Sequence, residues 1–179
     1  MTAAYVRDAA ATGAIFGFFA SAWFGWAQEA PPRRLRPYLI AGSMLSIAAV
    51  VAGAVLMVRH WGDGTVFDAD TSPVFGIVVG VEFALAGIGA GVLSARGKRE
   101  LVPAWVALVV GVHLFPVAVL IEYLFIHVPA ALVTLVALSA VPVARRRDLA
   151  VSTVVGLGSG VVLLLSAAYS LATVPSFGR

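Results

Sequence analysis

Two ionisable residues, Glu82 and His113, each lie near the middle of a long apolar run of the chain. A carboxyl group and an imidazole can pass a proton to each other and to a bound molecule, which is the basis of general acid–base catalysis. Because a charge at the centre of a bilayer is costly, such residues face the interior of a helix bundle or a polar cavity, and they mark functional sites. These two residues are therefore the first candidates for a catalytic site.

The positions of the two residues within their apolar runs predict that they meet. Glu82 lies nine residues after Pro73, where the third run begins, and His113 lies eleven residues after Val102, where the fourth begins. With a helical rise of 1.5 Å per residue, they lie about 14 and about 16 Å from opposite surfaces, near the midplane of a core about 30 Å thick. We expect a direct or single-water contact between the side chains of Glu82 and His113. The alternative to a catalytic role for this contact is a purely structural hydrogen bond between the helices.

The elements that position this pair are membrane-spanning helices. Hydrophobic residues make up 61% of the chain and charged residues 12%, about half of the 25% usual in a soluble domain. The composition predicts an all-α integral membrane bundle, one transmembrane helical domain over residues 1–179, and no nucleic-acid surface. The six predicted spans, arranged as three hairpins, cover residues 9–28, 38–58, 73–95, 102–123, 129–143 and 149–173.

The distribution of basic residues predicts the orientation of these spans. Nine of the twelve Lys and Arg residues lie in the connections after spans one, three and five, whereas the connection between spans two and three carries three Asp residues. Basic connections are retained in the cytoplasm, so both termini are expected outside a multi-pass protein of the plasma membrane. The basic connections contain Arg33, Arg34, Arg36, Arg96, Lys98, Arg99, Arg145, Arg146 and Arg147, and the acidic one contains Asp63, Asp68 and Asp70.

Glycines at helical spacing predict close packing between spans. Small residues let transmembrane helices approach each other closely. We therefore expect tight helix contacts at two places. The glycines concerned are Gly76, Gly80, Gly87 and Gly91 in span three, and Gly156, Gly158 and Gly160 in span six.

Further candidate residues extend the predicted site. Glu122 is a third catalytic candidate, provided that a kink at Pro116 turns the end of span four, because nine helical residues otherwise place Glu122 opposite His113. Aromatic rings can line a pocket for a long apolar ligand or stabilise a cation. Trp26 is instead expected to anchor the membrane boundary. The substrate-binding candidates are Phe16, Phe19, Trp23, Phe83, Phe115 and Tyr123.

Two segments carry a resemblance to known proteins. The segment Gly80 to Phe83 and the segment Trp105 to Ala118 resemble segments of small uncharacterised bacterial polytopic membrane proteins, and this resemblance implies no activity. In chain size, helical content, buried carboxyl groups and aromatic residues, the chain is also similar to the small membrane-bound terpene cyclases. That similarity implies an acid that starts cyclisation of a prenyl chain and aromatic faces that tolerate the resulting cation.

Three functions are consistent with these patterns. The first is a membrane-embedded acid–base cyclase or isomerase that acts on a lipophilic substrate, with membrane lipid as its other partner. The second is a proton-linked transporter or channel, and the third is a structural membrane subunit. The chain has no cysteine, and it contains no cluster of histidines at metal-ligand spacing and no phosphate-binding glycine loop. We therefore expect neither a metal nor an organic cofactor.

Overall fold

The computed structural model describes residues 2–174, and this part of the chain is all helical, without strands. All six α-helices are long and apolar enough to cross a membrane, as expected of a multi-pass membrane protein. Three short 3₁₀ turns precede α2, α4 and α5. The helices are α1 (Val6–Ala27), α2 (Arg36–Arg59), α3 (Thr71–Ala95), α4 (Val102–Leu120), α5 (His127–Arg147) and α6 (Val151–Thr173).

The predicted spans agree with these helices to within a few residues, except at the turn between α4 and α5. Helix α4 ends at Leu120 rather than at residue 123, and α5 begins at His127 and continues to Arg147. The fifth span is therefore 21 residues long, because the basic residues expected in a connection continue the helix. Pro73 and Pro103 lie in the first turns of α3 and α4, where a missing N–H costs no helical hydrogen bond.

Helix α6 lies at the centre of the bundle and packs against α1, α2, α4 and α5, while the two helices of each hairpin also pack together. The small residues of α6 allow these neighbouring helices to approach it closely. A methyl group added at Gly160 would lie 2.9 Å from the ring of Phe24, and one at Gly158 would lie 2.9 Å from the side chain of Val136. Close packing of the glycines in span six is thus confirmed.

The corresponding prediction for span three is wrong. A methyl group added at Gly76, Gly80, Gly87 or Gly91 would meet no atom within 4 Å. Helix α3 packs along α4 and against no other helix to a comparable extent. The four glycines lie on the side of α3 opposite the one that contacts α4. Glu82 is the only residue of α3 that is buried.

The connection between α2 and α3 is fastened to the start of α1. The carboxylate of Asp8 accepts a hydrogen bond of 2.7 Å from the Thr65 hydroxyl and one of 2.8 Å from the Val66 amide. The guanidinium of Arg7 stacks 3.9 Å above the Trp61 ring. These contacts close one end of the bundle, which we call the acidic end. The end that carries the three basic connections is called the basic end.

Asp68 fixes the point at which α3 begins. One carboxylate oxygen of Asp68 accepts hydrogen bonds from the amides of Asp70, at 3.0 Å, and Thr71, at 2.7 Å. These are amides of the first turn, which have no partner inside the helix. The bonds to Thr71 and Asp70 hold the pKa of Asp68 below its ordinary value, because they stabilise the charged form of the carboxyl group. The start of α3, and with it the depth of Glu82, is therefore anchored.

Candidate functional site

Glu82 and His113 meet where α3 packs on α4. The Nε2 atom of His113 lies 3.2 Å from the Oε2 atom of Glu82, and both side chains are largely buried. Glu82 points from α3 toward the bundle, and His113 occupies the middle of α4. The contact predicted from the two depths is confirmed. A catalytic role for this contact remains a prediction. The alternative is that the contact only joins the two helices.

A backbone hydrogen bond fixes the state of the His113 ring. Its Nδ1 atom lies 2.8 Å from the carbonyl oxygen of Val110, one turn earlier in α4. A carbonyl oxygen only accepts hydrogen bonds, so Nδ1 must carry a hydrogen and donate it. In a neutral imidazole the other nitrogen, Nε2, is then an acceptor. The nitrogen that faces Glu82 is therefore left to receive a proton.

We therefore expect the pair to share one proton. An Nε2 lone pair and a carboxylate would both be acceptors, and such a contact would be unfavourable in a dry environment. With one proton between them, either the carboxylic acid of Glu82 donates to Nε2 or the imidazolium of His113 donates to the carboxylate. Both arrangements are neutral overall. The pair can thus release or accept one proton while staying in place.

One side of the pair faces a cavity of about 270 Å³ between α1, α3 and α4. Its wall is almost entirely apolar, and several of its residues are aromatic. Phe67 and Phe75 meet edge to face near the acidic end, with ring centroids 5.0 Å apart. The polar and aromatic residues that line the cavity are Asp8, Thr12, Phe16, Phe19, Phe67, Phe75, Glu82, Phe83 and His113.

The polar residues of this cavity lead from the pair in one direction only. Asp8 and Thr12, both buried, line the cavity toward the acidic end. Toward the basic end, the indole of Trp105 on α4 donates a 3.0 Å hydrogen bond to the Leu85 carbonyl of α3. This contact joins α3 and α4 beyond the pair. Besides the pair, Asp8 and Thr12 are the only polar residues among the described ones that line the cavity.

Three of the six substrate-binding candidates line the cavity. Phe16 and Phe19 of α1 form its wall opposite the pair, and Phe83 follows Glu82 at its edge. Phe16 is buried, whereas Phe83 is 63% exposed outside the helix bundle. Two of the aromatic candidates on α1, Phe16 and Phe19, thus line the cavity.

The other candidates lie elsewhere. Trp23 stacks on Trp26, with ring centroids 5.5 Å apart. Phe115 packs against the ring of His127, and Tyr123 is fully buried with its hydroxyl 3.2 Å from the Ser170 hydroxyl. None of these three rings lines the cavity that contains the pair.

Glu122 is also separate from the pair. It is exposed in the turn after α4 and has a left-handed backbone, with a φ of 53°. The expected kink at Pro116 does not bring it to His113, because α4 ends at Leu120 and Glu122 already belongs to the following turn. The structure thus places Glu122 outside the candidate site.

Four polar or aromatic residues of the cavity were not predicted from the sequence: Asp8, Thr12, Phe67 and Phe75. The sequence does carry a signal for Asp8, because an acidic residue at the start of a membrane span needs polar partners. The sequence carries no such signal for Phe67, because its place in the cavity wall depends on how the connection between α2 and α3 folds back onto α1. The described residues contain no group of three His, Cys, Asp or Glu side chains arranged to hold a metal ion.

Comparison of the chain with protein-family models, with curated proteins and with solved structures gave no match. The resemblances of the two segments and of the general character of the chain therefore remain predictions.

Proposed function

We propose that this protein is a membrane-embedded acid–base enzyme that isomerises or cyclises a lipophilic substrate with a prenyl-type chain. The observation that carries the proposal is the contact between His113 Nε2 and Glu82 Oε2, with Nδ1 committed to the Val110 carbonyl. A pair that shares one proton on the wall of an apolar cavity is suited to protonating a bound hydrocarbon. The proposed setting is the plasma membrane, with no metal or organic cofactor in the reaction.

The proposed reaction is redox-neutral and uses the shared proton twice. The acid of the pair gives its proton to a carbon of a substrate double bond, whose π electrons form the new C–H bond. The neighbouring carbon becomes a cation, and the pair is left with a net negative charge beside it. In a cyclisation, a second double bond then attacks the cation and forms the ring bond. Loss of a proton from an adjacent carbon to the pair restores a double bond and the starting state of the enzyme.

The aromatic wall of the pocket supports this chemistry. The faces of phenylalanine rings attract a cation that lies within about 6 Å of the ring centre. Phe16 and Phe19 lie across the cavity from the pair, and Phe67 and Phe75 close its outer part. A cation that forms next to Glu82 would therefore be surrounded by rings rather than by water. Exclusion of water also prevents its capture as an alcohol.

A proton-linked transporter is the second candidate. The buried polar residues Asp8 and Thr12 favour it, because they line the route from the pair toward the acidic end. Among the described residues that line the cavity, none besides the pair, Asp8 and Thr12 is polar, which argues against a continuous polar path to the basic end. We therefore assign the polar residues to the resupply of protons to the pair. A structural subunit without chemistry of its own is the third candidate.

The test uses solvent deuterium, since proton addition and loss at carbon exchanges hydrogen for deuterium in any substrate of this class. Purified protein in liposomes that contain a total lipid extract of the producing cells is incubated in D₂O. Mass spectrometry of the nonpolar lipids then measures carbon-bound deuterium. We expect time-dependent incorporation with the wild-type protein and none with Glu82→Gln, which keeps the shape of the side chain but removes the transferable proton.

The exposed Glu122 supplies the matched control. Glu122→Gln makes the same chemical change outside the site, and it should exchange deuterium like the wild type. Equal exchange by Glu82→Gln and wild type would contradict the proposed role of the pair. Proton uptake into the liposomes, followed with an internal pH dye, without deuterium in any lipid would favour the transporter. Absence of both signals would favour the structural subunit.

A further inference from the structure

The basic end of the bundle carries a large excess of positive charge. All nine Lys and Arg residues of its three connections are exposed. Three carboxylates accompany them, those of Glu29, Glu100 and Asp148, which leaves six positive charges in excess. The described residues of the acidic end hold two arginines and five carboxylates, with three negative charges in excess. The positive charge of the described chain is therefore concentrated at one end.

None of these nine basic side chains forms an ion pair or a side-chain hydrogen bond with another described residue. The two ion pairs of the described chain have histidines as their cations and lie away from the basic end. At the acidic end, by contrast, Arg7 donates a hydrogen bond of 3.4 Å to the Trp61 carbonyl and stacks on the Trp61 ring. The fold does not use the nine cations for its own contacts, so they are free to bind anions.

The nine side chains lie at the depth of the lipid headgroups. Arg33, Arg99 and Arg147 are terminal residues of three of the segments that can span the membrane, and the headgroup region begins where the hydrocarbon core ends. Tyr38, in the first turn of α2, is 71% exposed, and tyrosine is enriched at the boundary between hydrocarbon and headgroups. The anions nearest to the nine cations are therefore those of the lipids.

From these features we infer that the basic end binds phospholipids whose headgroups carry a net negative charge. Each of the three hairpins supplies three basic residues, so the cations are divided among separate helix ends. A nucleic acid is instead bound by one basic patch or stripe, whereas divided clusters suit several small headgroups. Clusters of Lys and Arg next to a membrane span attract anionic lipids. The inference goes beyond the proposed function, because such binding does not depend on any reaction at Glu82 and His113.

The experiment measures which lipid lies beside each end of α5. Because the chain has no natural cysteine, Val143→Cys places a single bimane fluorophore just before the arginines that end α5, and Leu132→Cys places one near its start. The two positions are comparably exposed, at 38% and 43%. Each labelled protein is reconstituted in phosphatidylcholine vesicles. The quencher is a small fraction of phosphatidylglycerol or of phosphatidylcholine with a nitroxide on the upper part of one acyl chain.

At low salt, phosphatidylglycerol should quench the fluorophore of Val143→Cys about fivefold more than phosphatidylcholine does. This factor corresponds to about 1 kcal/mol for one Lys or Arg near an anionic surface. In Leu132→Cys, phosphatidylglycerol should quench no more than phosphatidylcholine, because the acidic end has no excess of positive charge. Equal quenching by both lipids in Val143→Cys would overturn the inference and would leave the basic residues as determinants of orientation alone.

Replacement of the arginines tests their role. In Val143→Cys, the added changes Arg145→Gln, Arg146→Gln and Arg147→Gln should together lower the preference for phosphatidylglycerol to about equal quenching. Arg59→Gln is the control, since Arg59 is an exposed arginine at the acidic end, and it should leave the preference unchanged. An undiminished preference in the folded triple variant would overturn the inference.

Salt supplies a test that needs no replacement of the arginines. At a salt concentration of about 1 M the screening length falls to about 3 Å, so the preference for phosphatidylglycerol in Val143→Cys should fall toward equal quenching. A preference that high salt does not reduce would contradict charge as its cause. If the triple variant does not fold, this salt dependence decides.

Discussion

Packing of α2 on α1 makes a specific prediction for Gly53. A methyl group added there would lie 2.6 Å from the backbone nitrogen of Ala14 and 2.8 Å from the backbone oxygen of Ala10. Both distances fall about 1 Å short of a favourable contact, and backbone atoms cannot rotate away as a side chain would. Gly53→Ala should therefore force the two helices apart.

The magnitude follows from a comparison with Gly80, which has no atom within 4 Å of an added methyl group. Glycine to alanine in a helix gains about 1 kcal/mol from backbone entropy and propensity, and both variants share this gain. Overpacking costs typically about 1–3 kcal/mol, and only Gly53→Ala incurs it. The free energy of unfolding of Gly53→Ala should thus be lower than that of Gly80→Ala by about 1–3 kcal/mol.

The assay is reversible unfolding in mixed micelles with increasing dodecyl sulfate, followed by far-ultraviolet circular dichroism. Gly80→Ala should unfold at the same or a higher fraction of dodecyl sulfate than the wild type, and Gly53→Ala at a lower one. Equal stability of the two variants would refute the close contact between α1 and α2. A strong loss of stability in Gly80→Ala alone would show that the glycine face of α3 is packed after all.

The connections between the helices can be probed by labelling, hydrogen exchange and NMR. Since the chain has no natural cysteine, Gly62→Cys should react with an impermeant thiol reagent on intact cells and Glu100→Cys should not; the reverse pattern would contradict the orientation. The carboxylate of Asp8 binds the Val66 amide of the loop between α2 and α3. In Asp8→Ala, hydrogen exchange of this amide should become faster on the order of tenfold, as expected for a lost partner of a buried group. Unchanged exchange would contradict the fastening of the loop to α1. The carboxylate of Asp68 should hold the Thr71 amide at neutral pH and release it only as the pH falls below the ordinary Asp pKa of 3.8, because the bonds lower the pKa of Asp68. An amide NMR shift that titrates above 3.8 would contradict this sign.

The sequence was sufficient to predict the spans and the central contact. Hydropathy and helix length determine which segments cross a bilayer, and the helical rise places Glu82 and His113 at similar depths. Consecutive helices joined by a short turn pack together, so two residues at similar depths on such helices can touch each other. The boundary between α4 and α5 was less predictable, because apolar residues on both sides of the turn hide where the helix ends.

The sequence could not predict which faces of the helices meet. All faces of a membrane helix are apolar, so hydropathy does not distinguish a face that touches protein from one that touches lipid. For this reason the glycines of α6 and those of α3 looked alike, although Gly160 is packed and Gly80 is not. The same ambiguity placed Tyr123 in the site. Phe67 was left out for another reason, because its place in the cavity wall depends on how the connection between α2 and α3 folds back onto α1.

The state of the His113 ring tests the central claim most directly. With His60 and His127 replaced by Gln, ¹⁵N-labelled histidine reports on His113 alone, and solid-state NMR in bilayers measures which ring nitrogen carries a proton. We predict a proton on Nδ1 in the neutral ring, and an Nε2 signal that changes in Glu82→Gln while the Nδ1 signal does not. A neutral ring protonated on Nε2 and bare at Nδ1, or an Nε2 signal insensitive to Glu82→Gln, would contradict a proton shared between His113 and Glu82.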